Sequence, residues 1–550
     1  MVMPHVRLAL AQTNPTVGDF DANVKNIKSA IEKSVDSGAN LIQFAEMALT
    51  GYPIEDLATR QGFIRAAEIA LAEILEYLRA PKFNEVAVVL GLPTFAESSN
   101  GWAIAHNSAV AISGGRVIGK YDKFHLPNYS VFDEFRNFVA GEDLLTFKFN
   151  GLNISVVICE DIWQSGGPVS QLSVAQTDLT LVLNGSPFER SKDDRRLELV
   201  RALAVEHQTA VSYVNLVGGQ DDLVFDGDSF VVDAHGAVRA RAQQFETTIC
   251  VVDVVSKDQV VAVSEHRSLK DDETWQVWNA LVLGLRDYVD KNGFRSVVLG
   301  LSGGIDSAVC ASLAVDALGF DRVFGVSMPS VYSSDHSKSD AFDLAERLGI
   351  QIRTNAIEPM VDAFEGNLQL SGLASENLQA RMRGVILMAL SNQEGHLVLT
   401  TGNKTELAVG YSTIYGDSVG GYAPIKDVEK TLVWKLARWR NAFAATLGET
   451  APIPENSISK PPSAELRPDQ VDQDSLPPYE LLDEILELYV EQKLGREDII
   501  SAGFDADTVN RVVSLVDRAE WKRRQGAIGP KITGMAFGRD RRLPITNRFI

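Results

Sequence analysis

The sequence predicts a two-part α/β protein: a layered α/β domain with a mixed sheet, then a doubly wound parallel sheet. Three observations predict it. Short β-branched runs alternate with amphipathic stretches through the first half, and some runs follow one another directly. In the second half the alternation becomes strict, strand then helix then strand. The chain's 550 residues also exceed what one core serves, at roughly 150 residues per domain. The predicted division is 4–255, a linker over 256–272, and 273–550.

The first-half strands read as VRLALA (6–11), NLIQFAE (40–46), VAVVLGL (86–92), NSAVAIS (107–113), NISVVICE (153–160), LTLVLNG (179–185), AVSYVN (210–215) and SFVVDA (229–234). Apolar residues at helical spacing predict helices over 22–37, 64–78 and 195–207. A polar stretch over 256–272 leads to a helix over 273–292. SVVLGLS (296–302) follows, then a helix from Asp306, RVFGVSMP (322–329), a helix from Ser337, IQIRTNAI (350–357), a helix over 376–390 and HLVLTTGN (396–403). A Pro-rich stretch over 452–478 interrupts the pattern, and a mostly helical, basic C-terminal segment follows. No repeat period stands out.

Composition narrows the function. With 45% hydrophobic and 23% charged residues the chain is globular, not low-complexity. A net charge of −21 argues against tracking a phosphate backbone, which needs cationic neutralisation, so no nucleic-acid partner is expected. Cys159, Cys250 and Cys310 are too few and scattered for a disulfide framework or a Cys-rich zinc site, which suits a reducing cytoplasm. Apolar runs fall far short of the ~20 residues that span a bilayer, and residues 1–12 read as a strand, not a signal peptide. A cytoplasmic protein without a membrane partner is expected.

The clearest chemical signal is Gly300-Leu301-Ser302-Gly303-Gly304-Ile305-Asp306-Ser307, a strand running through a Gly-rich turn into a helix. Glycines let backbone N–H groups approach an anion, and the helix N-terminus adds a favourable dipole. Ser302 and Ser307 contribute hydroxyl donors. Asp306 is the odd member: a carboxylate beside phosphates makes sense with a divalent cation between them. The bland alternative, a strand–helix turn capped by Ser and Asp, does not account for the whole string.

This loop resembles the pyrophosphate-binding loop of the ATP-pyrophosphatase family, whose members cleave ATP between the α and β phosphates. It has no Gly-Lys-Ser/Thr ending and so differs from a Walker loop. Glu376-Asn377 to Arg381, Thr401-Gly402-Asn403-Lys404-Thr405-Glu406 to Tyr411, and Tyr415-Gly416-Asp417 resemble the segments with which NAD synthetases grip ATP and deamido-NAD. Pro461-Pro462-Ser463-Ala464-Glu465-Leu466-Arg467-Pro468, the tail from Lys522 and the stretch from Phe537 resemble glutamine-dependent NAD synthetases. The resemblance implies a Rossmann-like domain in which Thr401 contacts ATP and Asn377, Arg381 and Lys522 hold deamido-NAD. Asp306 and Glu406 would be the carboxylates of a Mg2+ site, with Glu406 also assigned to the dinucleotide. No prosthetic group is implied. Taken alone, Arg381 and Lys522 read sooner as solvated helix charge.

In the first half, Cys159 ends Val156-Val157-Ile158-Cys159, Glu46 ends LIQFAE, and Lys123 stands in Tyr121-Asp122-Lys123-Phe124-His125-Leu126-Pro127. A lone cysteine at a strand end usually fills a core. Three such residues at strand exits, converging on one rim of a sheet, suit a nucleophilic amidase. A buried thiol needs an adjacent base, a desolvated Glu46 can take its proton, and Lys123 can stabilise the oxyanion. His125 reads as structural.

These segments resemble the nitrilase (carbon–nitrogen hydrolase) superfamily, and its glutaminase branch closely. That resemblance implies a layered αββα domain. It also implies a glutamine pocket lined by Tyr129 and Glu134, with Ser186 and Lys192 at the substrate's amino-acid end. Ser191 departs from the glycine common before that basic residue. Glu160 and Trp163 are expected to wall the pocket, with surface capping by Glu160 as the alternative.

An ammonia-producing half joined to an ATP-using half forms one chemical unit. A carboxylate must be adenylated before an amine can replace its oxygen, and ammonia is nucleophilic only while unprotonated. L-glutamine, ATP and deamido-NAD are the expected substrates. Assembly as a homo-oligomer and a shielded ammonia route are expected from the resemblance. Three alternatives stay open: another glutamine-fed amidotransferase of the ATP-cleaving family, a non-catalytic nucleotide-binding sensor or scaffold, and a free-standing amidase.

Overall fold

The computed structural model describes residues 6–100, 102–190, 192–263, 272–468 and 470–548. The chain splits into two compact units, Met1–Gln220 with Val224–Lys270, and Asp221–Leu223 with Asp271–Ile550.

In the first unit the strands are β1 (Val6–Gln12), β2 (Leu41–Phe44), β3 (Ala87–Asn100), β4 (Ala103–Ser113), β5 (Arg116–Asp122), β6 (Leu145–Phe149), β7 (Leu152–Ile158), β8 (Leu179–Asn184), β9 (Ala210–Asn215), β10 (Val217–Gln220), β11 (Leu223–Asp226), β12 (Phe230–Val232), β13 (Val238–Arg241), β14 (Thr248–Ser256) and β15 (Gln259–Ala262). Every strand read from the sequence is present. They form two larger sheets, ordered β15-β14-β1-β2-β3-β4-β5 and β13-β12-β9-β8-β7-β6, beside a β10-β11 pair. Both are mixed: β1, β2 and β3 run parallel, as do β7, β8 and β9, while the flanking strands pair antiparallel. The patterning alone pointed to a mixed sheet, the resemblance to αββα layers, and the two sheets found are those layers. Runs buried on both faces look alike whichever sheet they join.

Helix Phe20–Asp36 starts where the Asp19 carboxylate accepts the Ala22 N–H at 3.1 Å, a local N-cap. Its apolar stripe (Val24, Ile27, Ile31) and that of helix Gln61–Tyr77 (Ala70, Ile74) pack over Ile42, Phe44, Val88 and Leu90 of the seven-stranded sheet. Helix Lys192–His207 lies against β9 and β12 of the other sheet. Between the sheets, fully buried Gln43 of β2 donates to the Val182 carbonyl of β8 at 2.9 Å. The layers are therefore αββα.

The expected first boundary at 255 falls short. Strand β15 pairs antiparallel with β14, so the sheet continues to Ala262. Residues 264–271 of the expected linker, and 4–5 and 549–550 of the expected domains, lie outside the described residues.

In the second unit β16 (Val297–Gly300), β17 (Val323–Ser327), β18 (Gln351–Thr354) and β19 (Leu397–Val398) form an all-parallel sheet ordered β18-β17-β16-β19. The chain leaves β16 toward β17 on one side and later returns to its other side at β19. That reversal opens a crevice beyond the C-terminal ends of the strands, where ligands of such sheets bind. Helices Glu273–Lys291, Ile305–Leu318 and Asp335–Leu348 match the expected alternation, and helix Leu373–Glu394 packs Leu378, Met382 and Ile386 with Val298 and Val326. Among the described residues the final segment is helical only to Arg523.

Gly91 of β3 lies directly under the backbone that carries Glu46. A Cβ there would stand 2.5 Å from both the Ala45 carbonyl oxygen and the Met47 nitrogen. Gly91→Ala is expected to cost about 1–3 kcal/mol through overpacking, seen as a lower thermal midpoint. Gly62→Ala, whose Cβ would meet nothing within 4 Å, is expected to leave the midpoint unchanged or higher.

Candidate active sites

The first site sits at three strand exits. Cys159 directly follows β7, Lys123 directly follows β5, and Glu46 lies two residues beyond β2. The expectation that all three share one sheet's rim is corrected. Glu46 and Lys123 come from the seven-stranded sheet and Cys159 from the six-stranded one, so face-to-face packing brings them together. At Cys159 the chain turns sharply into the 3-10 turn Cys159–Ile162 with φ +41°, a conformation L-residues avoid without surrounding support. Asp161 supplies that support. It accepts from the Ile158 N–H at 2.9 Å, the His125 N–H at 2.9 Å and the Tyr121 hydroxyl at 2.7 Å. His125 is thus structural, held beside Asp161 and edge-on to Phe124.

The charges form a buried chain. Lys123 Nζ lies 2.8 Å from Glu46 Oε1 and 2.7 Å from Glu134 Oε2, and all three side chains are at most 3% exposed. Asn107 Nδ2 donates to both carboxylates, at 2.7 Å to Glu46 and 3.2 Å to Glu134. The Gly185 N–H donates to Glu46 Oε2 at 2.7 Å and the Tyr52 hydroxyl to Glu134 at 2.9 Å. Burial disfavours the Lys123 ammonium, but Glu134 and then Glu46 outweigh it and hold the group charged. Burial, reinforced by Glu46 and opposed by Lys123, pushes the Cys159 thiol well above its ordinary range. The thiol is therefore neutral at physiological pH and needs a base beside it.

The expected pocket residues distribute around this centre. Glu134 is part of the charge chain itself. The Tyr129 hydroxyl donates to Glu160 Oε2 at 2.8 Å, and Glu160 is buried at 4% exposed, so its surface-capping reading is corrected. Ser186 is buried where Arg196 grips it, Nη2 donating to the Ser186 carbonyl at 2.9 Å and Nε to its hydroxyl at 3.2 Å. Arg196 is paired in turn with Asp226 at 2.8 Å. Lys192 opens helix Lys192–His207 and is half-buried; Ser191 lies outside the described residues. One turn on, Arg195 stacks over the Trp163 ring at 6.0 Å.

The second site is a cavity of about 460 Å³ at the β16–β19 crevice. Gly300, Leu301, Ser302, Gly304, Ile305, Asp306 and Ser307 line it together with Thr401, Glu406, Asn377 and Lys522. Gly303 stands behind the lining at φ +75°, where a Cβ would fall 2.4 Å from the Ser337 carbonyl oxygen. Only glycine allows that approach. Ser307 Oγ donates to the Gly304 carbonyl at 3.0 Å, and Ser302 Oγ accepts from the Gly304 N–H at 3.2 Å, which shapes the turn. Asn377 Oδ1 accepts from the Thr413 hydroxyl at 2.9 Å. Lys522 Nζ donates to the carbonyls of Gly410 and Ser412, both at 2.8 Å, and burial lowers its proton affinity.

Arg381 is not in this lining. It is exposed, its Nε donating to the Ile414 carbonyl at 3.3 Å, and Arg383 lines the cavity instead. The reason is helical phase. Leu373, Glu376, Asn377, Ala380, Arg383 and Leu387 share one face of helix Leu373–Glu394, and position 381 points about 100° away from its neighbour 380. Lys430 also escaped the sequence reading. Its Nζ lies 2.5 Å from Asp306 Oδ2 and 3.0 Å from Glu406 Oε1, and the residue is 1% exposed. Helical phase from the matched Asn377 would have found Arg383; nothing in sequence spacing signals Lys430.

Burial raises the Glu134 carboxyl to about 7 despite Lys123, and the Glu406 carboxyl to about 7 despite Lys430. A carboxyl raised on folding favours the protonated native state. The stability it adds is full below about pH 4.5 and is lost as pH rises through about 7. The thermal midpoint is expected to fall between about pH 5 and 8 at fixed ionic strength, and Glu134→Gln and Glu406→Gln each to flatten that fall. Calorimetry across the range checks it; slopes unchanged in both variants would refute the assignment.

Comparison with known proteins identifies the family of each unit. The carbon-nitrogen hydrolase family model matches residues 7–260, and the NAD synthase family model matches residues 277–526. The glutamine-dependent NAD(+) synthetase of Acinetobacter baylyi is 43% identical, covering 99% of both chains, and that of Thermotoga maritima is 44% identical, covering 100% of this chain and 99% of the other. Among solved structures, the Acinetobacter baumannii glutamine-dependent NAD+ synthetase in complex with adenosine diphosphate superposes with a TM-score of 0.77 at 41% identity, covering 99% of each chain. The enzyme from Cytophaga hutchinsonii shares the fold, with a TM-score of 0.82 at 23% identity, covering 99% of this chain and 98% of that one. With a buried thiol–carboxylate–ammonium centre in one unit and a loop-bounded cavity in the other, this chain belongs to the glutamine-dependent NAD(+) synthetase family.

Proposed function

We propose that the chain makes NAD+ from deamido-NAD, taking nitrogen from L-glutamine and cleaving ATP to AMP and diphosphate. The observation that carries this reading is that one polypeptide holds both a buried Cys159–Glu46–Lys123 centre and a nucleotide-sized cavity behind Gly300–Ser307.

At the first site Glu46 takes the Cys159 proton as sulfur attacks the glutamine side-chain carbonyl. Lys123, already held charged, stabilises the oxygen that becomes negative. The proton passes from Glu46 to the departing nitrogen, ammonia leaves, and water then cleaves the thioester to glutamate. Tyr129, Ser186 and Lys192 hold the substrate, Lys192 toward its carboxylate. Removing Lys123 would leave the buried Glu46 and Glu134 carboxylates uncompensated, at a cost of about 3–5 kcal/mol.

At the second site the nicotinate carboxylate of deamido-NAD attacks the α-phosphorus of ATP and diphosphate leaves. Ammonia then attacks the acyl carbon and AMP departs. The loop's backbone N–H groups and the start of helix Ile305–Leu318 face the phosphates, supported by Lys338, Arg383, Lys430 and Lys460 in the lining. Asn377 and Lys522 hold the dinucleotide. Asp306 and Glu406 present hard oxygen donors that converge on one point, which suits Mg2+. The ion's contribution when bound is to neutralise charge on the phosphates. A homo-oligomer and a cytoplasmic location belong to the same reading.

Cys159→Ala is expected to abolish NAD+ formation with glutamine while leaving formation with ammonium intact, measured as NAD+ and AMP produced from deamido-NAD and ATP. Loss of both activities in a correctly folded variant would overturn the division of labour.

A further inference from the structure

We propose that Lys430 is a positioning residue that makes divalent-cation binding at Asp306 and Glu406 depend on bound nucleotide. This rests on the assignment of those two carboxylates to the metal. Lys430 Nζ sits between them, 2.5 Å from Asp306 Oδ2 and 3.0 Å from Glu406 Oε1, at the point where a cation shared by both would lie.

The lysine is held there from behind. It begins helix Lys430–Thr446, and its N–H donates to Thr405 Oγ1 at 2.9 Å. Thr405 bonds Asp483, which also takes the Thr431 N–H at 2.9 Å. The rings of Tyr479 and Trp434 lie 5.3 and 5.8 Å from Nζ, adding cation–π attraction. Asn403 holds the Asp306 carboxylate and the Glu406 backbone, donating to Asp306 Oδ1 at 2.9 Å and accepting the Glu406 N–H at 3.0 Å. Lys430 and the two acids are therefore held by contacts within the protein.

Charge accounting gives the consequence. Two carboxylates and one ammonium leave a single net negative charge, so a free divalent ion gains little there and must also displace the ammonium from its carboxylate contacts. The phosphates of a nucleotide bring several negative charges and fresh oxygen ligands, and they offer the ammonium a new partner. Metal and nucleotide affinities are then coupled, and by linkage the coupling is reciprocal. A lysine serving stability alone would lower the thermal midpoint when removed without changing that coupling.

Mn2+ is the probe, with free ion followed by electron paramagnetic resonance in titrations of the full chain with and without ADP. The native chain is expected to bind Mn2+ weakly alone and at least about tenfold more tightly with ADP. Lys430→Met is expected to bind Mn2+ alone about tenfold more tightly than the native chain, with a smaller gain from ADP, while Lys430→Arg keeps the native pattern. Asp306→Asn measures binding by other carboxylates and is expected to lose the ADP-dependent signal. If it keeps that signal, the metal assignment itself fails. A folded Lys430→Met chain with native Mn2+ affinities would overturn the proposal. Should that variant not fold, equal Mn2+ affinity of the native chain with and without ADP overturns it alone.

Discussion

A lysine buried between two carboxylates is the interaction on which both sites are built. Lys123 joins Glu46 to Glu134, and Lys430 joins Asp306 to Glu406. Each group would be costly to bury alone, and the triplet is tolerable because every charge has a partner within hydrogen-bond reach. Two acids around one base leave one negative charge in excess, and one carboxyl in each triplet is pushed up to about 7. Each unit thus holds an excess negative charge beside its lysine, able to accept a proton or a cation.

The same device serves different ends. In the first unit the excess charge stands beside a thiol that burial keeps protonated, so the acceptor faces the proton that must move. In the second it stands at the mouth of a phosphate-sized turn, where the excess charge faces a cation. A third buried lysine, Lys404, is held by Asp427 at 3.0 Å and Glu491 at 2.6 Å, away from the lining of the cavity. There the arrangement is purely structural, tying the helix that carries Glu406 to the C-terminal helices.

Backbone geometry places these charges. Glu46, Lys123 and Cys159 all stand where a strand has just ended, and Gly91 and Asp161 hold the turns that aim them. The loop after β16 works alike: Gly303 lets the turn pass close to Ser337, and the helix behind it presents its N-terminus to the crevice.

Much of this was legible in the residues. The central strands of both units, the turn around Gly303, and the thiol, acid and base of the first site all rest on local signals: β-branched runs, glycines and strand ends. Outer strands such as β5, β6 and β13 to β15 went unread. What stayed illegible depended on groups far apart in the chain. Which sheet carries each member of the first centre was not readable, because inward-facing runs look alike in either. Arg383 lines the cavity and Arg381 does not, because helix phase is settled by which face meets the sheet. Lys430 lies 124 residues from Asp306 and 24 from Glu406, and no spacing rule joins them. The sequence by itself determined which chemistry the chain can carry, since reactive groups and turn residues are local properties. Only the tertiary structure decided which charges share a site, because electrostatic pairing depends on distance in space and on exclusion of water.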